Sequence, residues 1–288
     1  MSTIDFQIGS STVDDFWKFI VLRHSIWYKR FIRNLPWPWT DDPILLKYKF
    51  TNIFRQLDRG TIALHSMLAR KFLDMDEVPP CKYELDYDFL LWTVIWYRIF
   101  NRFEHALDFV NCSLPTGPQI HDYIKAKIHD SKPVFTSAYR ATSYCGGRGL
   151  AFSTYCKGIV QIWEMQPYEK PTTMQGMFNY LQTFPLIGPF AAYEIVCDLR
   201  FTQVLSKAPD KNTWANIGPG STRGLQRLGL PVCISSMTDL LKSRTQKWRV
   251  YPPFELREIE HSLCEFDKYE RTRTGIGRPR SRYDHNKF

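Results

Sequence analysis

Four polar side chains recur at three- and four-residue spacing along KYKFTNIFRQLDR: Tyr48, Asn52, Arg55 and Arg59. At 100° per residue they share one helical face, while Leu46, Phe50, Ile53, Phe54 and Leu57 occupy the other. A phenol, an amide and two guanidiniums in line suit an anion such as a phosphate, because guanidinium N–H donors keep their charge and fork onto oxygen pairs. The competing reading is a solvated face, but solvated faces mix Lys with Glu, and these four positions hold no acid. A similar set interrupts the apolar run YRIFNR, where Arg98, Asn101 and Arg102 need buried partners whether or not they meet a substrate.

Carboxylates with a basic neighbour occur near the end of the chain. In LREIEHSLCEFDKYER the seam Leu256, Ile259, Leu263 and Phe266 faces a core, and Glu265, Asp267, Lys268 and Tyr269 lie off it. Such groups can serve as general base and electrostatic stabiliser when burial and a charge partner tune them; more often they are surface pairs. Tyr193 and Asp198 in GPFAAYEIVCDLRF pose the same choice between a functional carboxylate and a helix-end residue.

The segment WANIGPGSTRGLQRLG has the form of a helix-hairpin-helix at about 209–229: Ile217, then Gly218-Pro219-Gly220, then a helix start with Gly224 four positions on. Glycines let a backbone approach DNA, and the N–H groups of the following helix, including those at Ser221 and Thr222, receive a phosphate without reading sequence. Arg223 and Arg227 would flank it. A Gly-Pro-Gly turn between helices is also a common bland feature. Glycosylases with this hairpin place a nucleophilic Lys where Thr222 stands, so Schiff-base chemistry is disfavoured. Asp239 reads most simply as part of a helix start capped by Ser236.

These groups need a helical scaffold, and most of the chain reads as one, because apolar residues recur at helical rather than alternating spacing. Thr12 and Asp15 form a capping box opening a helix to about Asn34, which Pro36 and Pro38 stop; Thr40 and Pro43 restart one expected to reach Arg59. Asp88–Val110 is a third, apolar around most of its circumference. Further helices are expected over 172–183, 189–200, from Gly218, over 237–245 and over 255–271, with 131–163 irregular. The reading is a single all-α domain over 1–270 followed by a basic arm, 271–288, whose six Lys/Arg against one acid supply +5 of the +9 net charge. Arg278 and Arg280 on that arm are candidate DNA contacts, the alternative being a solvated tail.

The formal +9 favours an anionic partner. Seven scattered cysteines with no CxxC pair argue for a reducing compartment, and the absence of a signal-like start or a bilayer-length apolar run points to a soluble intracellular protein. No metal or cofactor motif is present, and GxxxxGK[ST], HExxH and GxSxG are all missing, which removes P-loop kinases, zincins and nucleophile-elbow hydrolases.

In order along nearly the whole chain, WYKRFIRNLPWPWTDDPILLKYKFTNIFRQLDRGT, YRIFNRFE, GPFAAYEIVCDL, IGPGSTRGL and IEHSLCEFDKYERTRTGIGRPR resemble the alpha-glutamyl/putrescinyl thymine pyrophosphorylase group, which is similar to the helical domain beside phage 5-hydroxymethyluracil DNA kinases. The resemblance implies an all-α fold related to helix-hairpin-helix DNA glycosylases. It also implies thymine hypermodification, in which the phosphate or pyrophosphate on 5-hydroxymethyl-deoxyuridine in double-stranded DNA is displaced by the amine of an amino acid or polyamine, without a cofactor. On that reading Asn52, Arg55 and Arg59, with Tyr48, Arg98 and Asn101, hold the phosphorylated group. Asp198, Glu265 or Asp267 orients or deprotonates the amine, and Lys268 neutralises developing charge. Another polypeptide would phosphorylate the base. The setting would be host cytoplasm for a phage protein and the nucleus for a eukaryotic one. A glycosylase acting on a modified base and a non-catalytic DNA-binding module beside a 5-hydroxymethyluracil kinase are the alternatives.

Overall fold

A computed structural model describes residues 11–73, 87–102, 116–130, 158, 160–161, 163–165, 170–243, 254–279 and 281–285. Arg280 and most of the stretch expected to be irregular, 131–163, lie outside them. Among the described residues the structure is all-helical, with one isolated antiparallel bridge between Tyr48 and Arg282.

Local chemistry sets the first elements. The Thr12 hydroxyl accepts from the Asp15 N–H, and the Asp15 carboxylate accepts from the Thr12 N–H, so α1 (Val13–Trp27) begins with a complete capping box. A π-helical turn, Tyr28–Ile32, follows and ends at Asn34 with φ 46°. The Asp42 carboxylate accepts from the Ile44 and Leu45 N–H groups, starting α2 (Pro43–Lys47) with Pro43 in its first turn.

There the expected long helix fails. Tyr48 is extended (φ −119°, ψ 149°), a single 3₁₀ turn covers Arg55–Leu57, and the next α-helix, α3 (Arg59–Leu73), begins where the expected one was to end. Side chains take over the backbone groups a helix would have paired. Asn52 donates from its amide to the Leu57 carbonyl, its own N–H goes to Asp58, the Thr51 N–H goes to Glu265, and Arg23 donates to the Phe50 carbonyl. The C-terminal segment adds a pair of ladder bonds: Lys49 N–H to Ser281 and Tyr283 N–H to Lys47.

Two compact units result: Met1–Asp58 with Lys211–Phe288, and Arg59–Asp210. The second contains α3, α4 (Tyr87–Phe100), α5 (Gly117–His129), α6 (Met174–Leu181) and α7 (Pro189–Leu199). Of residues 90–100 only Ile99 escapes full burial, so α4 is central as its composition predicts, and α7 packs on it. α4 stops at Asn101, in the left-handed region at φ 50°.

The first unit adds α8 (Pro219–Arg227), α9 (Ile234–Lys242) and α10 (Leu256–Arg273), which runs three residues past 270. Phe16 and Phe19 of α1 meet Phe266 edge-on or tilted at 5.6 and 5.8 Å, and Phe19 meets Phe50 at 6.0 Å. α8 lies against α10 at unusually close range. A Cβ on Gly224 would sit 2.5 Å from the Leu263 carbonyl oxygen, and one on Gly220 2.7 Å from the Cys264 sulfur. α9 starts at Ile234 with Cys233 at the cap, so Ser236 is its third residue and not its cap, and Asp239 forms an exposed pair with Lys242. No helix among the described residues is long and apolar enough to cross a membrane.

Candidate functional site

The Arg59–Asp210 unit holds four of the nominated groups. Asp198, fully buried on α7, accepts two hydrogen bonds from Arg98 on α4, and Arg98 also donates to the Asn101 side chain at 2.8 Å. Arg98, Asn101 and Asp198 therefore form a buried network holding two helices together, and Asp198 has no accessible surface. Arg59 is exposed at the start of α3. The other members of the expected stripe, Tyr48, Asn52 and Arg55, lie on an extended stretch and a 3₁₀ turn of the other unit, so the stripe is not the face of one helix.

In the first unit, the Gly-Pro-Gly turn does open a helix. Gly218 is the N-cap of α8, with no side-chain cap and open space where a Cβ would point. The preceding residues, 200–213, are turns, so the first helix of a hairpin starting near 209 is absent. Gly220 and Gly224 are accounted for by contact with α10. The Ser221 hydroxyl is buried and donates to the Gly218 carbonyl, and Ile217 and Thr222 are half-buried.

The two arginines of α8 turn toward α10 as well. Arg223 and Arg227 each donate from Nε to Asp267 at 2.8 Å, and Arg271 lies 3.2 Å from the same carboxylate. Asp267 has no accessible surface and Arg227 is 3% exposed, whereas the Arg223 side chain is 43% exposed. Asp267 is thus the centre of an ion-pair cluster and not a free base. Arg227 is withdrawn from any DNA surface, and Arg223 alone of the pair can reach an outside phosphate.

A second polar cluster forms where residues 50–58 meet α1 and α10. Glu265 accepts from the Thr51 N–H at 3.1 Å and pairs with Lys268 at 2.6 Å, and Lys268 sits 4.6 Å over the Phe50 ring. Burial pushes the Glu265 carboxyl up, but Lys268, His261 and the Thr51 N–H outweigh it and hold the group ionised below its usual range. The Thr51 hydroxyl and the His261 ring are hydrogen-bonded. Arg23 reaches in from α1 to the Asn52 side-chain oxygen at 2.9 Å, so both ends of that amide are bonded. Arg55, expected on an open face, is buried.

Asp58 lies in this cluster and was not nominated. Burial raises its carboxyl to about 6, against the Asn52 N–H and the charges of Arg55, Arg23 and Arg257, which pull it down. A carboxyl whose proton affinity is raised in this way suits acid–base work. Its surroundings come from α1, residues 50–58 and α10, a convergence no local pattern announces.

The C-terminal segment closes a third feature. Through the Tyr48–Arg282 bridge it lies against residues 47–49. Arg30 donates to the Tyr283 hydroxyl at 2.8 Å, and Trp37 stacks on His285 at 4.7 Å with 9° between planes. Between segment and body is a cavity of about 340 Å³ lined by Tyr48, Arg278, Pro279 and Arg282. The segment is therefore docked, neither a free arm nor a solvated tail over 281–285. The structure joins nominated Tyr48 and Arg278 in one place and adds Arg282, whose only sequence signal was the basic run.

The chain matches the family model described as 5-hmdU DNA kinase, helical domain, over residues 10–277. It is also 27% identical to a 5-hmdU DNA kinase of Bacillus phage SP10 over 305 aligned residues, covering 92% of this chain and 46% of that protein. The chain thus spans about half the length of this relative. No solved structure matches. A match running through both units, from the capping box of α1 to the end of α10, makes the chain a member of the 5-hmdU DNA kinase helical-domain family.

Proposed function

We propose that the protein modifies thymine in DNA, displacing the phosphate or pyrophosphate of phosphorylated 5-hydroxymethyl-deoxyuridine with the amine of an amino acid or polyamine. The observation that carries this reading is the match over residues 10–277 to the helical domain of a DNA kinase, in a sequence without GxxxxGK[ST]. On this reading the substrate is DNA whose hydroxymethyl group is already phosphorylated. The amine nitrogen forms the bond to the exocyclic methylene carbon as the C–O bond breaks, the leaving group departs with that electron pair, and the ammonium proton passes to a carboxylate.

Asp58, whose carboxyl burial raises to about 6, is the candidate acceptor of that proton. Glu265 and Lys268 form a charged pair in the same cluster, and the charge of Arg23 acts on both carboxylates. Helix α8 would present the open turn at Gly218 and the half-exposed Arg223 to the DNA backbone. The extruded nucleotide and the relation to glycosylases rest on the same reading.

A second reading, a non-catalytic DNA-binding module beside a kinase, is favoured by the closure of Asp198 and Asp267 in internal ion pairs. One experiment separates them. The full chain is incubated with duplex DNA carrying phosphorylated 5-hydroxymethyl-deoxyuridine and a pool of amino acids and polyamines, and nucleosides are read by mass spectrometry. The expected outcome is an amine-bearing nucleoside with stoichiometric release of phosphate or pyrophosphate. Free base with an abasic site would establish a glycosylase, and unchanged nucleosides with retained DNA affinity would establish the module.

A further inference from the structure

Several arginines of this protein are held by internal carboxylates. Arg98 is held by Asp198, Arg273 by Glu270, and Arg223, Arg227 and Arg271 by Asp267. Arg278 and Arg282 differ. Both are exposed on the wall of the 340 Å³ cavity, and among the described residues no carboxylate lies within ion-pair distance of either. Tyr48 and Arg282 are directly opposed across an antiparallel bridge, so their side chains leave the backbone on the same side. Pro279, buried and between the two arginines in sequence, lines the cavity with a backbone position that has no N–H to donate.

We propose that this cavity is a phosphate-binding site assembled by the docking of the C-terminal segment, with Arg278 and Arg282 as the charged forks and the Tyr48 hydroxyl as a neutral donor. Two guanidiniums and a phenol supply more N–H and O–H donors than one carboxylate can accept, whereas a tetrahedral phosphate presents several oxygens to them at once. The same chemistry has two sources: a phosphodiester of the DNA backbone, or the free phosphate or pyrophosphate that the reaction releases. The assignment rests on the proposed action on phosphorylated DNA, but its test reads binding and not turnover.

The test uses the full chain and a short fluorescently labelled duplex, with affinity followed by anisotropy as salt is raised. Against wild type, the Arg278→Ala/Arg282→Ala double variant should lower the slope of log affinity on log salt by about 1.8, that is about 0.9 for each lost phosphate contact. In the Arg278→Ala background, Arg282→Lys should recover about 0.9 of that slope relative to Arg282→Ala, because the ammonium keeps the charge, while affinity stays below that of Arg282 because the fork is lost. Calorimetry with inorganic phosphate and with pyrophosphate forms the second arm.

A changed slope without heat from either anion assigns the site to the DNA backbone. Heat present in wild type and lost in the double variant, at unchanged slope, assigns it to the released anion. An unchanged slope and no heat in wild type would overturn the proposal. Should the double variant unfold, Arg278→Gln alone, on an exposed side chain away from the bridge, carries the same test with half the slope change. A failed amine-transfer assay leaves both arms readable, and an unresponsive cavity leaves that assay standing.

Discussion

Two arginine-rich regions of the first unit behave oppositely. Around Asp267, three guanidiniums from α8 and α10 converge on one buried carboxylate. Around Tyr48, two guanidiniums from the C-terminal segment face a cavity, and among the described residues no carboxylate is paired to them. Residue type does not distinguish the two cases; the presence of an internal counter-ion does. The difference should appear first in stability. Asp267→Ala leaves the buried Arg227 without its partner and should cost about 3–5 kcal/mol in urea unfolding, the range for breaking a buried pair from one side. Arg282→Ala in the cavity should change stability by no more than about 0.5 kcal/mol. A costly Arg282→Ala would mean that the cavity arginine is structural too, and the comparison would fail.

A pair of glycines sharpens the same contrast at smaller magnitude. A Cβ at Gly224 meets the Leu263 carbonyl, a backbone atom that cannot swing aside, so Gly224→Ala should cost about 1–3 kcal/mol as α8 is forced off α10. At Gly218 nothing stands within 4 Å, and Gly218→Ala should cost less than about 1 kcal/mol, the scale of a changed N-cap. Thermal unfolding of the two variants measures the gap. DNA affinity measured on the same samples should fall for Gly218→Ala only if the backbone there approaches the duplex.

What could be read in the sequence was what neighbouring residues decide. The Thr12–Asp15 capping box, the stop before Pro36, the central α4 and the helix starts after Thr173 and Gly188 all depend on groups within a few positions. Residues 48–58 follow another rule. Their periodicity is helical, but Arg23, Glu265 and the backbone of Ser281 and Tyr283 claim their donors and acceptors, and those partners lie 27 to more than 200 positions away. The candidate site fares the same way. Spacing correctly marked Glu265 and Lys268 as neighbours, one helical turn apart, while Asp267 looked equally available because Arg223 and Arg227 are 44 and 40 positions off. Asp58 carried no visible signal, since its shifted acidity comes from burial by three separate segments.

Asp58 stands between the two arginine regions: guanidiniums surround it, yet burial outweighs them and raises its carboxyl from 3.8 to about 6. The native state therefore holds an extra proton between roughly those values, and the stability this group contributes is present at low pH and lost as pH rises through 6. His24 works in the opposite direction. Burial, helped by Arg23, lowers its ring from 6.5 to about 4, so its contribution is present above 6.5 and lost as pH falls toward 4. The two slopes oppose each other from about pH 4 to 6. Asp58→Asn removes one of them while keeping an oxygen for the Asn52 N–H. The variant should gain stability relative to wild type as pH rises from 4 to 6, by less than about 1.4 kcal/mol per pH unit, and then stay level. Melting curves at several pH values measure it. Parallel curves would mean that the arginines do neutralise Asp58, which would make it a second Asp267 and remove it as the carboxylate that takes the amine proton.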